Sequence, residues 1–202
     1  MESRVLASLP GMCSWTRQDF PHLPRLAARA LELIRVVRTP ELRVSAAIPL
    51  MGHLTYTCES EVADGVLRIV DSVLRSEHVS AVNAVRWHGT SGYVHYVRAD
   101  FARAMRDYDQ ARDLARAHGL HQFDFYTANQ RGLCAWRMGD FASLTATLQE
   151  FDDIAGIESG VSDARAIYQM LSAVALCARG SLGEACRVGN AEIGRASCRE
   201  RV

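Results

Sequence analysis

The 202-residue chain reads as all-α, a stack of about five helix pairs that bury their apolar faces against one another. Three observations predict this. Apolar residues recur nearly everywhere at the i, i+3, i+4, i+7 spacing of an amphipathic helix. Sustained strand-like alternation is missing from the sequence. A turn-flanked pattern also recurs about every 40 residues, the mark of a repeat architecture. Nine or ten helices of about 12 to 20 residues, joined by short turns, are expected.

The first repeat, near 14–39, places Leu26, Ala30, Leu33, Ile34 and Val37 on one helical face and stops at Thr39-Pro40. The second, near 40–78, carries Val62, Val66, Ile69, Val70 and Val73 and breaks over Ser76 to Ser80. Glu59 and Glu61 open its second helix, where acidic side chains favour the helix dipole. The third, near 79–119, turns at Ala99-Asp100, continues through Phe101, Ala104, Tyr108, Ala111, Leu114 and Ala115, and ends at Gly119. The fourth, near 120–160, turns at Gly139-Asp140. The fifth, near 161–191, follows the run Gly156 to Ser162 and turns at Gly180-Ser181. The first large apolar residues after the turns are Leu23, Val62, Phe101, Phe141 and Leu182, spaced 39, 39, 40 and 41 residues apart. Gly92 and Gly132 lie nine residues before Phe101 and Phe141, and Ala173 lies nine before Leu182. Ala104 and Ala185 follow three residues after Phe101 and Leu182, and Tyr108 and Ala111 follow Phe101 by seven and ten.

This order of small, turn, aromatic, small, aromatic, small resembles the tetratricopeptide repeat. The resemblance implies a right-handed α-α solenoid. Its small residues would sit where paired helices cross closely, its aromatics would fill the gap towards the next pair, and its first helices would line a concave face. Two features depart from the pattern: a period near 40 instead of about 34, which HEAT-like pairs share, and Leu144 at the small position of the fourth repeat. The turn Arg137-Met138-Gly139-Asp140-Phe141 and the segment Trp15-Thr16-Arg17-Gln18-Asp19-Phe20 resemble the helical region of MalT-like bacterial transcriptional regulators. Those proteins join a nucleotide-binding module, a helical superhelix and a DNA-binding domain. The resemblance spans about Ser14 to Ala191 and implies an internal piece of such a regulator, with Met1 an internal methionine. Residues 192–202 resemble a translated sequencing adapter, so 1–191 is the expected helical-repeat domain, its last pair cut short.

All 23 basic residues are arginine, balanced by 23 acidic ones. Without lysine there is no Schiff-base chemistry and no phosphate-loop lysine. Removing the three arginines and two glutamates of the tail leaves 20 basic against 21 acidic residues, a charge of −1. Either balance argues against the basic face of a nucleic-acid domain, so no direct nucleic-acid contact is expected. No run of 18 apolar residues occurs and Met1 to Cys13 lacks the layout of a secretory signal, so a cytoplasmic protein away from membranes is expected. Cys13, Cys58, Cys134, Cys177, Cys186 and Cys198 are scattered without metal-ligand spacing. They read as reduced thiols, most of them buried in apolar helical stretches.

No catalytic residue, cofactor or metal is expected. His118 and His121 straddle Gly119 with no third ligand nearby, and read as basic groups at a helix C-terminus. His53, His88 and His95 fall on first helices, as packing or groove-lining residues. Asp107, Asp109 and Asp113, interleaved with Arg103, Arg106, Arg112 and Arg116, read as a solvated face with weak pairing. Gly89-Thr90-Ser91-Gly92 lies inside an apolar helical run and reads as close helix packing, not as a phosphate loop. What remains is a surface. With Gly92 and Gly132 as register, the candidate concave-face residues are Arg86, Tyr93, Tyr96, Tyr126, Asn129 and Trp136, of types that anchor protein interfaces. The expected function is a non-catalytic scaffold that binds a protein or peptide partner, or a small effector. The alternatives are a free-standing adaptor docking a peptide tail, and an all-α enzyme. The latter would need polar groups converging in a pocket, which no sequence feature requests.

Overall fold

The computed structural model describes residues 23–154 and 162–199. Among the described residues there is no strand, and no helix is long and apolar enough to cross a membrane. The chain divides into two compact units, 1–119 and 120–202.

The first unit contains α1 (Leu23–Val36), α2 (Pro40–Tyr56), α3 (Ser60–Ser76), α4 (Ala81–Val97) and α5 (Phe101–Ala117). Helix α2 packs against α1, α3 and α4, and α4 packs against α5. Pro40 opens α2, where its missing N–H costs nothing. The core is made by Ile34, Val44, Leu50, Met51, Val66, Val70 and Trp87, all fully buried. Glu41, in the first turn of α2, ties that helix to the start of α4. Its carboxylate accepts from the Ser80 N–H at 2.9 Å, from the Ser80 hydroxyl, and from Asn83 Nδ2 at 2.6 Å. Burial alone would raise the Glu41 pKa, but these hydrogen bonds outweigh it and hold the carboxyl below its ordinary value.

The second unit contains a 3₁₀ turn (His121–Phe123), α6 (Asp124–Met138), α7 (Phe141–Asp153), α8 (Ser162–Ala178) and α9 (Leu182–Arg199). Helix α6 packs on α7 and α8, α7 on α8, and α8 on α9. Fully buried Phe151 forms its centre, meeting the rings of Phe125 and Tyr168 edge-on at 5.5 and 5.8 Å. The backbone of α9 is helical across position 192, where the adapter resemblance begins.

Four turns share one geometry. Cys58, Ala99, Gly139 and Gly180 each adopt a left-handed backbone, with φ of 59°, 61°, 70° and 77°. The following N–H groups, of Glu59, Asp100, Asp140 and Ser181, reach back to the carbonyls of Leu54, His95, Ala135 and Leu176 at 2.9–3.0 Å. Each left-handed residue donates its own N–H to the carbonyl three residues earlier. This is the Schellman closure, which satisfies the last carbonyls of the preceding helix. The residue that completes it also begins the next helix: Asp100 and Asp140 accept from the N–H groups of Arg103 and Ser143 at 3.1 and 3.0 Å. The turns recur at spacings of 41, 40 and 41 residues. They place Ser60 in register with Phe101, Phe141 and Leu182, two residues earlier than the Val62 that the apolar pattern selects.

An arginine strap also appears in each unit. Arg98, one residue before left-handed Ala99, donates to Asp64 Oδ1 at 2.6 Å and to the Ser60 carbonyl at 3.2 Å. Arg179, one before Gly180, donates to Thr145 Oγ1 at 2.7 Å. Asp64 and Thr145 hold equivalent places, six residues after Cys58 and Gly139.

The glycines singled out for close packing meet that role. A Cβ on Gly92 would lie 2.7 Å from Cε1 of Tyr108, whose ring is fully buried. A Cβ on Gly132 would lie 2.8 Å from a Leu171 methyl. Tyr108 thus seats on the glycine of its own helix pair, whereas the repeat resemblance would turn it towards the next pair. Gly89 to Gly92 lies within α4, as packing requires.

The left-handed geometry gives a direct test. Ala99→Gly should raise stability by about 0.5–1 kcal/mol: it relieves a left-handed cost of about 1–2 kcal/mol and returns part of it as unfolded-chain entropy. Gly139→Ala should lower stability by about 1 kcal/mol. Gly92→Ala should be destabilising on balance, since overpacking costs about 1–3 kcal/mol and helix propensity returns about 1. Gly132→Ala should cost less, because a leucine methyl yields more easily than a ring. Urea unfolding of each variant checks the order, and an unchanged Ala99→Gly midpoint would contradict the turn.

Candidate functional site

The six residues chosen from register divide by burial. On α4, Arg86 is exposed, while Tyr93 and Tyr96 are half-buried. Tyr96 packs edge-on against Phe101 at 5.5 Å, as part of the α4–α5 turn. On α6, Tyr126 and Trp136 are exposed, while Asn129 is 7% exposed. Its Oδ1 is fully buried and accepts no hydrogen bond. Asn129 is therefore an interior residue of the second unit and not a groove-lining one.

Of the six, Trp136 borders a cavity lined by described residues. A groove of about 730 Å³ lies in the second unit between the end of α6, the start of α7, and α8 and α9. Trp136, Phe141, Met170, Val174 and Cys177 supply its walls. Trp136, Phe141 and Met170 keep 36%, 43% and 41% of their surface exposed and lie together along this groove. Gln169 also lines the groove, and its Oε1 is buried without a hydrogen-bond donor.

The first unit holds a different cavity, of about 380 Å³ and lined mostly by charged residues. Asp64, Leu67, Arg68 and Asp71 of α3 face His95 and Arg98 at the end of α4 and Asp100 and Arg103 at the start of α5. Sequence reasoning anticipated no such convergence. Asp71 accepts from the indole N–H of buried Trp87 at 3.2 Å. Beside the pocket, Asp107 accepts from the Ser91 hydroxyl at 2.8 Å and lies 3.7 Å from His95 Nε2. This is not a nucleophilic triad, because the serine donates to the carboxylate and not to the imidazole. Burial raises the Asp107 pKa against the Ser91 hydrogen bond. Burial, aided by Arg103, lowers that of His95. Both shifts favour the neutral form of each group.

Several sequence expectations change here. Asp107 is largely buried; of its acidic run, Asp109 and Asp113 hold the exposed role, pairing with Arg112 at 3.5 and 2.8 Å. The bond to Ser91 that buries Asp107 spans 16 residues and leaves no local signal. Among the described free cysteines only Cys134 is buried, while Cys58, Cys177 and Cys186 are exposed. Cys58 lies in a turn, and Cys177 borders the groove. His118 lies at the C-terminal cap of α5, as anticipated, whereas His121 opens the 3₁₀ turn before α6 and pairs with Asp124 at 3.0 Å instead of standing at a helix C-terminus. No group of three or more His, Cys, Asp or Glu side chains suited to a metal occurs among the described residues. No protein-family model, curated protein or solved structure matches the chain.

His53, His88 and His95 all have pKa values lowered by burial. In the unfolded chain each takes up a proton below about pH 6.5. The unfolded state then binds more protons, so the histidine contribution is complete above that pH and is lost as pH falls through it. Asp107, with its pKa raised, acts in the opposite sense in a lower window, stabilising as pH falls through its folded value. The urea midpoint should therefore drop from pH 7.5 to about pH 5.5, and His95→Gln should reduce the drop. A midpoint that rises over this interval would contradict the histidine burial.

Proposed function

We propose that the chain is a non-catalytic, tetratricopeptide-like helical-repeat scaffold that binds an apolar peptide segment, and that it forms an internal piece of a larger bacterial regulator of the MalT-like kind. The repeating Schellman turns and their 40–41-residue spacing support the repeat reading. The glycine–aspartate turn before Phe141 supports the resemblance to MalT-like helical regions. The observation that carries the binding role is the apolar groove of the second unit. Its volume suits a bound side-chain cluster. Its exposed tryptophan is the residue type most enriched at binding hot spots. Gln169 Oε1 adds direction: a peptide N–H seated there supplies the donor that the buried oxygen lacks.

Selection of a displayed peptide library on the full chain tests this reading. Enriched peptides should share large apolar residues. Trp136→Ala should weaken the best of them by about tenfold or more, as expected for an interface anchor. Arg86→Ala, on an exposed face of the first unit, should leave affinity unchanged. Binding that survives Trp136→Ala, or a selection that enriches nothing, would remove the groove as the site.

A further inference from the structure

The polar cavity of the first unit plays no part in the peptide reading. Its lining carries three carboxylates and three guanidinium groups. One pair is mutually satisfied, Arg98 with Asp64 at 2.6 Å. The hydrogen bond from Arg98 also holds the Asp64 carboxyl below its usual range. The other charges are not spent in this way. Asp71 has a neutral indole donor, and Asp100 has a backbone N–H. Arg68 and Arg103 line the same space and form no ion pair among the described residues. Apart from the Arg98–Asp64 pair, the opposite charges of this cavity form no ion pair with each other among the described residues; Arg68 acts on Asp64, and Arg103 on Asp107, only through space.

The choice of ligand follows from this balance. A purely anionic molecule drawn to Arg68 and Arg103 also meets Asp71 and Asp100. A purely cationic molecule meets the reverse conflict. A small molecule with both charges satisfies each set and adds no net charge to a neutral lining. The volume of about 380 Å³ lies at the small end of ligand pockets, fitting an amino-acid-sized molecule. His95 also borders this cavity, 5% exposed, and its imidazole makes no hydrogen bond among the described residues.

We propose that this pocket binds a small zwitterion of the α-amino-acid class, its carboxylate held by Arg68 and Arg103 and its ammonium by Asp71 and Asp100. Charge-assisted contacts of this kind carry the recognition, and the exposure of Arg68, Asp100 and Arg103 keeps the binding modest.

The test uses the full chain and the twenty common α-amino acids, screened by ligand-observed NMR to millimolar concentration. At least one should show saturable binding. Its α-amide, which keeps only the ammonium, and its des-amino acid, which keeps only the carboxylate, should each bind about tenfold more weakly or worse. Asp71→Asn retains an oxygen for the Trp87 indole while removing the charge, and Arg103→Gln alters an exposed side chain. Each should weaken binding by about fivefold or more with an unchanged urea midpoint. The proposal is overturned if no amino acid binds, if either single-charge analogue binds as tightly as its parent, or if both variants bind as the parent does.

Discussion

The constraint on which this structure depends is the left-handed residue that closes four of its helices. After Cys58, Ala99, Gly139 and Gly180, one N–H reaches back five residues to an orphan carbonyl, and the same residue starts the next helix. A chain that reverses in so few residues leaves its two helices no choice but to lie antiparallel and adjacent. Helix pairing within each unit is therefore decided locally, before long-range packing adds to it. Two turns spend backbone strain on a non-glycine residue, and the hydrogen bonds that close the preceding helix hold it there.

What the turns position, close contacts secure. Gly92 lets α4 approach the buried ring of Tyr108, and Gly132 lets α6 approach Leu171 of α8. The Glu41 clamp joins α2 to α4, helices that are next but one in the chain. Arg98 and Arg179 reach from one turn to the second helix of the preceding pair. Such exposed straps contribute little stability, about 0–1 kcal/mol each, but they fix geometry. In the first unit the strap is also a wall of the charged pocket, so the element that repeats structurally is the one that shapes a cavity.

Much of the fold was legible because turns with glycine announce themselves. Gly139-Asp140 and Gly180-Ser181 carry both the left-handed residue and the cap in their sequence. Gly92 and Gly132 stand out because a small residue in an apolar helical run needs a packing reason. Cys58 and Ala99 give no such sign, since an ordinary residue there is held left-handed by the hydrogen bonds that close the preceding helix. That is why an apolar register settles on Val62 while the helix begins at Ser60. The sites were less legible. Trp136 could be found because an aromatic near a helix end is either core or surface, and here it is surface. Asn129 and Asp107 could not, since helical spacing places a side chain on a face without saying which neighbour covers it. The charged pocket draws on three helices, and none of its residues is unusual within its own segment.

The most direct test of this account is the backbone conformation at Cys58 and Ala99 in solution. The intraresidue HN–Hα cross-peak and the HN–Hα coupling report the sign of φ, and hydrogen exchange reports the closing amides of Glu59 and Asp100. Positive φ at both residues, with both amides protected, is the result this account predicts. Negative φ at either residue, or free exchange of either amide, would contradict it.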